Sequence, residues 1–297
     1  MSDPTTRSRS FGAAAADYHR ARTGYTVPDI AWSLGLDASA RGDGSVADVT
    51  HLRVLDLAAG TGRLTLALRG AGVGEVEAVE PDPDMRAEFA ARVGTTGVTL
   101  HDGTAEAIPL PDASMDAVVA GSAFHWFDPA SALPEIARVL RPGGFLTALW
   151  THPDEEVDWV RAYRAAARAE LGPHPEPVGA RAVAVDATTR RRQTDRHSDI
   201  PASPLFTPTE LRESVHEEPT DRPTLVVGVG TYSEILVADP ERRAAALAAV
   251  ADAVRRVVPI GPAGADAGVT EGAGDADRDG DRVLLPVRVA GARCRRR

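Results

Sequence analysis

The sequence predicts an α/β fold with a mainly parallel sheet, on three observations. Strand-length apolar runs alternate with stretches of helical spacing from Leu52 to Trp150, the pattern of βαβ units. A glycine turn, Gly60-Thr61-Gly62, closes the first run and precedes the first of those helices. The composition, 43% hydrophobic and 26% charged over 297 residues, is globular and permits one large domain, or one domain with a small cap.

The elements follow in order. Asp17–Arg22 and Pro28–Leu36 read as short helices, and Gly42–Gly44 as a loop. Arg53–Ala58 is a strand that stops at glycine, and Arg63–Arg69 a helix. Glu75–Val79 is the second strand. Pro83–Val93 is a helix with Met85, Phe89 and Val93 on one face, the i, i+4, i+8 spacing of an amphipathic helix. Val98–His101 and Met115–Ala120 are strands. Pro129–Leu140 is a helix opened by Asp128-Pro129, with Leu133, Ile136 and Leu140 inward. Pro142-Gly143-Gly144 is a turn before the strand Phe145–Trp150. Glu156–Leu171 is an amphipathic helix. Gly172–Thr224, rich in proline and charge, is too long for an ordinary loop and reads as an irregular cap. Leu225–Val229 looks like strand, Pro240–Val257 like helix and Gly261–Asp281 like a linker. Val283–Val289 is the last strand, and Pro286 within it predicts a sheet edge.

Composition narrows the function. No apolar run approaches the roughly 20 residues of a membrane helix, and the N-terminus lacks an apolar signal-peptide core, so a cytoplasmic protein with no membrane partner is expected. The single cysteine, Cys294, excludes an intramolecular disulfide and a cysteine-based zinc cluster. The scattered histidines give no metal-ligand spacing, so no metal is expected. The net charge of −10 argues against a broad nucleic-acid footprint. All 33 basic residues are arginine, and the chain has neither lysine nor asparagine. A GC-rich coding sequence accounts for that bias, so Arg190–Arg192 and Arg295–Arg297 read as a solvated face and a solvated tail.

The string Val54-Leu55-Asp56-Leu57-Ala58-Ala59-Gly60-Thr61-Gly62 places a carboxylate and a glycine turn at a strand-to-helix junction. Backbone N–H groups there can approach a ligand closely. Position 65 is threonine, so the dinucleotide G-x-G-x-x-G pattern is absent. Glu80 ends the next strand, about 20 residues beyond the glycines, where a carboxylate can accept from both hydroxyls of a ribose.

On these residues the chain resembles the class I S-adenosylmethionine-dependent methyltransferases, and within them the trans-aconitate methyltransferase-like branch for small molecules. The stretch Phe11–Tyr25 supports the resemblance. It implies a Rossmann-like fold with a seven-stranded sheet and helices on both faces. It divides the chain into an N-terminal helical segment closing over the cofactor site (1–50), a cofactor-binding core (51–151), a cap (152–224), and C-terminal strands and helix completing the sheet (225–297). It assigns S-adenosyl-L-methionine as cofactor. Asp56 with the backbone of Ala58, Gly60 and Gly62 would hold the methionine portion. Glu80 would take the ribose, Pro81 and Met85 would flank the adenine, and Thr104, Ala105 and Glu106 would read its amino group. Ser122, Phe124, His125 and Trp126 would line the acceptor side, with His125 as candidate base. Tyr18 and Arg22 would fold over the pocket, where Arg22 can pair with an acidic acceptor. Ala58 stands where many members carry glycine, which alanine can replace if φ stays negative. Three other readings stay open: a methyltransferase for RNA or protein, a non-catalytic S-adenosylmethionine-binding protein, and a nucleotide-dependent oxidoreductase. The expected partner is a small-molecule methyl acceptor.

Overall fold

A computed structural model describes residues 15–36, 48–171, 200–259 and 282–297. Five parallel strands form its centre: β1 (Arg53–Leu57), β2 (Glu75–Val79), β3 (Val98–His101), β4 (Met115–Gly121) and β5 (Leu140–Pro153). Two antiparallel strands, β6 (Glu210–Asp221) and β7 (Arg282–Arg295), complete a seven-stranded sheet in the order β3-β2-β1-β4-β5-β7-β6. The connections from β1 run to β2 on one side and the chain later returns to β4 on the other. The order therefore reverses at the β1–β4 junction, and parallel sheets bind ligands outside the carboxyl ends of the strands at such a point.

The helices described are α1 (Ala15–Ala21), α2 (Val27–Ser33), α3 (Arg63–Gly70), α4 (Pro83–Arg92), α5 (Pro129–Val139), α6 (Asp158–Leu171), α7 (Arg222–Gly230), α8 (Ser233–Leu236) and α9 (Pro240–Val257). Successive strand residues point to opposite faces, and both faces are apolar here. Val54, Val119 and Leu149 pack with Leu64, Leu68, Val160 and Val250 on one side of the sheet. Leu55, Val118 and Leu146 pack with Leu133, Ile136 and Phe124 on the other. Burial on both faces explains why these strands read as continuous apolar runs rather than alternating ones.

Several elements differ from the sequence expectation. Leu225–Val229 is helical, inside α7, because the Asp221 side chain accepts from the Thr224 N–H at 2.6 Å and proline occupies the first turn. A five-residue apolar run does not separate strand from buried helix. The span Gly172–Thr224 contains β6, and its residues 172–199 lie outside the described ones, as do Arg190–Arg192, Gly42–Gly44, Gly261–Asp281 and Phe11–Ala14. β7 is longer than expected and is no edge: it pairs with β5 and β6 on its two sides. Pro286 is tolerated because the β5 pairing ends at Pro153–Val287, so its missing N–H removes no ladder bond there. β6 is the edge instead. The expected turn at Pro142–Gly144 lies within β5, where the register with β4 slips between Met115 and Ala117. Gly143 absorbs the irregularity at φ +80°. Arg295–Arg297 are not a free tail. The Arg296 guanidinium donates to the Leu140 carbonyl, and Arg297 Nε donates to that of Phe206 at 2.8 Å.

Candidate functional site

The carboxyl ends of β1 and β4 bear the candidate site. Asp56 is buried on β1, where Oδ2 accepts from Thr65 Oγ1 at 2.6 Å while Oδ1 has no partner among the described residues. Burial pushes its carboxyl up to about 7. The chain then turns. Ala58 takes φ +59° and Gly60 φ +56°, and the Ala59 N–H donates to the Val79 carbonyl at 3.0 Å. The left-handed Ala58 corrects the expectation of a negative φ, at a cost of about 1–2 kcal/mol. Ser122, just beyond the neighbouring strand β4, is likewise left-handed at φ +53°. Strain of this kind collects where a loop must present its backbone to a ligand.

The two glycines of the turn do different work. A Cβ on Gly62 would lie 2.3 Å from Val93 Cγ2 and 2.9 Å from Phe89, so the helix α4 packs directly onto that backbone. A Cβ on Gly60 would meet nothing within 4 Å. Gly62 is thus required by the protein's own packing, and Gly60 borders open space. The Gly60 N–H donates to Glu80 Oε2 at 2.8 Å, and the Asp82 N–H donates to Oε1 at 2.9 Å. The turn and the Glu80 carboxylate are therefore one hydrogen-bonded unit. Burial raises the carboxyl of Glu80 above its ordinary range. Pro81 is exposed beside it and Met85 is buried on α4.

The N-terminal segment covers this turn. His19 Nδ1 lies 3.0 Å from Thr61 Oγ1, and the Arg63 guanidinium donates to the His19 carbonyl at 2.6 Å. Burial, with Arg92 and Arg63 nearby, lowers the pKa of His19. Tyr25 is hydrogen-bonded to Ser122, and burial raises its phenol well above the ordinary value. Tyr25, His19, Thr61 and Thr65 were not singled out from the sequence. Tyr25 and His19 stood in a stretch whose resemblance was noted, but no local spacing ties residue 25 to residue 122.

The remaining predicted residues separate. Thr104 is exposed and bridges to Ala107; Ala105 is buried, and Glu106 Oε1 accepts from the Asp128 N–H at 3.0 Å. Phe124, expected as an apolar wall of the acceptor side, is a core residue at 3% exposure, packed against Phe127 and the β4–α5 side chains. Aromatic burial under the sheet outcompetes exposure at its rim. His125 is exposed, packs against the ring of Trp126, and accepts at Nδ1 from Trp150 Nε1 at 3.3 Å. An indole N–H only donates, so Nδ1 of the neutral ring is the acceptor and Nε2 carries the proton. Arg22 lies against the rings of Tyr18 and Tyr232 and donates to the Thr231 carbonyl at 3.0 Å. No cluster of metal-ligand type is found among the described residues, and no described helix is long and apolar enough to cross a membrane.

Residues 55–148 match the family model described as a methyltransferase domain. Those residues form a methyltransferase domain. The domain so defined contains the Asp56 turn, Glu80 and Ser122. An uncharacterized methyltransferase of Mycobacterium bovis is 47% identical over 154 residues, 52% of this chain and 57% of that protein. A malonyl-[acyl-carrier protein] O-methyltransferase of Methylococcus capsulatus is 36% identical over 147 residues, 46% of this chain and 48% of that protein. The chain spans about half the length of these curated relatives. The fold extends past the methyltransferase domain. A structure of a candidate type II methyltransferase from Anaeromyxobacter dehalogenans matches 93% of this chain and 97% of that one, at TM-score 0.55 and 22% identity.

Proposed function

We propose that the whole chain is an S-adenosyl-L-methionine-dependent methyltransferase that transfers a methyl group to oxygen of a small organic acceptor. The observation that carries the reading is the unit formed by the Asp56 turn and Glu80. It combines an unpartnered buried carboxylate oxygen, a glycine that borders open space, and a second carboxylate held by the turn's own N–H. These residues fit the cofactor. Asp56 Oδ1 can meet its ammonium group, and the Gly60 backbone can lie against its methionine portion. Each Glu80 oxygen uses one lone pair on backbone and keeps another for a ribose hydroxyl. Pro81 and Met85 are the residues for the adenine faces, and the Ala105–Glu106 segment for its edge.

The cofactor supplies an activated methyl on a sulfonium, so the protein's contribution is alignment and exclusion of water. Tyr25 and Ser122 close the acceptor end, and His125 and Trp126 follow in the same segment. An oxygen acceptor of carboxylate type needs no strong base, because a carboxylate is already a nucleophile at neutral pH. The relative named for O-methyl transfer supports oxygen as the methylated atom, and the net charge of −10 speaks against a nucleic acid.

Two experiments test the reading. Isothermal titration of the full chain with S-adenosylhomocysteine is expected to give stoichiometric binding. Incubation with methyl-deuterated S-adenosylmethionine and a metabolite extract is expected to yield one product carrying the labelled methyl. Absence of S-adenosylhomocysteine binding to the folded chain would overturn the proposal.

A further inference from the structure

The segment that joins α1 to α2 is pinned to the sheet by hydrogen bonds. The Thr151 hydroxyl on β5 donates to the Thr23 carbonyl at 3.2 Å, and the Gly24 N–H donates to Glu218 Oε2 on β6 at 2.8 Å. Thr26 and Asp29 form a capping box at the start of α2, and Ser214 Oγ on β6 donates to Asp29 Oδ1 at 2.6 Å. The backbone is therefore held on both sides of one residue, Tyr25. Its ring packs against the larger apolar cluster, and its hydroxyl lies against the end of β4. A Cβ on Gly121, the last residue of that strand, would come within 2.7 Å of the phenol oxygen. Glycine at this position leaves the space that the hydroxyl fills.

Burial, with Tyr18 and Asp56 nearby, holds the phenol of Tyr25 well above its ordinary pKa, so the hydroxyl is neutral and is no base. It is hydrogen-bonded to Ser122. A hydroxyl has one donor and two acceptor lone pairs, so a bond between Tyr25 and Ser122 leaves acceptor capacity on both. Asp56 adds a buried carboxylate oxygen that has no partner among the described residues. Carboxylate and hydroxyl oxygens thus meet at the junction of β1 and β4. Lone pairs gathered beside a buried carboxylate favour positive charge, because the low local dielectric strengthens the attraction.

We propose that Tyr25 is a specificity-determining residue that recognises the positive charge of the cofactor: its phenol oxygen accepts from the polarised C–H groups around the sulfonium, and so favours the methylated cofactor over the neutral thioether product. The inference rests on the S-adenosylmethionine reading. In that reading the methionine portion lies on the Gly60 turn and the acceptor beyond Ser122. The charged sulfur then falls between them, at the junction where Tyr25 is held. A thioether carries no charge to be recognised, so loss of the hydroxyl should be felt by one form of the cofactor and not by the other.

The test is a set of calorimetric titrations of the full chain with S-adenosylmethionine, S-adenosylhomocysteine and sinefungin, an analogue in which an amine-bearing carbon replaces the methyl-bearing sulfur. Tyr25→Phe keeps the ring and removes the hydroxyl. It is expected to weaken S-adenosylmethionine about twofold to fivefold, the scale of C–H···O contacts. Sinefungin should weaken by about tenfold or more, because its ammonium donates a full charge-assisted hydrogen bond. S-adenosylhomocysteine should bind the variant as it binds the wild type. A loosened N-terminal segment would weaken all three ligands alike, so the ratio of affinities separates recognition of charge from packing. Gly121→Ala serves if Tyr25→Phe fails to fold: its Cβ would displace the phenol oxygen and should move the ratio in the same direction. Equal weakening of the three ligands, or no weakening of any, would overturn the assignment. S-adenosylhomocysteine binding to the wild type with a ratio that does not depend on Tyr25 sinks only this role. Failure of the wild type to bind S-adenosylhomocysteine sinks the cofactor reading and this role with it.

Discussion

The two halves of the sheet are built differently. In β1, β2, β4 and β5 the strands are buried on both faces, with β3 as the half-exposed edge of the parallel set, and each is followed by a helix or turn whose start is marked by glycine, Asp or proline. In β6 and β7 the strands are antiparallel and long. β6, Glu-Leu-Arg-Glu-Ser-Val-His-Glu-Glu-Pro-Thr-Asp, has no fully buried residue. The first half is held by what its own side chains bury. β6 is held by twelve paired positions with β7, and β7 brings the buried groups, Val287, Val289 and Ala292 among them. Hydrophobic pattern therefore carries the first half and backbone pairing carries the second.

Five changes would break or sharpen that contrast. Gly62→Val should be the most damaging, since its Cβ would enter Val93 and Phe89 at φ +86°. Overpacking plus a left-handed β-branched residue should cost about 3–5 kcal/mol in urea unfolding. Gly60→Ala, two residues away and facing open space, should cost only about 1–2 kcal/mol while S-adenosylhomocysteine binding is lost.

Asp56 gives a pH signature to the parallel half. Its folded pKa of about 7 lies above the unfolded carboxylate value. Between those two values the folded state holds a proton that the unfolded state has released. Stability is therefore fully present in acid and falls as the pH rises from about 4 to 7, by about 2–4 kcal/mol. Asp56→Asn should remove that fall from thermal melts recorded across the same range without cofactor.

Where the two halves meet, the comparable group is Asp154, just past β5, whose two oxygens accept from Arg288 Nε and Nη2 of β7 at 3.1 Å. Asp154→Ala should cost about 2–3 kcal/mol, less than a fully isolated buried charge because Glu213 still meets Arg288. Chemical denaturation checks it, and cofactor affinity should not move.

Glu80→Gln should have the smallest effect on folding. The amide oxygen can keep one backbone bond, so stability should change by about 1 kcal/mol or less. Affinity for S-adenosylhomocysteine should fall about tenfold, measured by titration, because the charge that draws the ribose hydroxyls is gone.

The candidate site was legible to the extent that its residues are close in sequence to glycine turns and strand ends. Asp56, Gly60 and Glu80 were found that way, and Gly60 and Glu80 are joined by a hydrogen bond across 20 residues. Phe124 was misread because an aromatic residue after a strand can face either the core or the rim, and only the packing of α5 against β4 decides which. His125 was identified, but the direction of its proton depends on Trp150, 25 residues later. Tyr25 escaped notice because its partner, Ser122, lies on another layer of the fold.

The sequence by itself determined the parallel core, the glycine turn and the acidic residues at strand ends. Those rest on local spacing, and the apolar runs leave one way to bury both faces of a strand. The tertiary structure alone decided that β7 is interior and β6 the edge, that Leu225–Val229 is helical, that Ala58 is left-handed, and that Arg22 lacks a carboxylate partner among the described residues. Each of these depends on what stands opposite in space. A strand of glutamates, a short apolar run or an unpaired arginine looks the same in sequence whichever neighbour satisfies it.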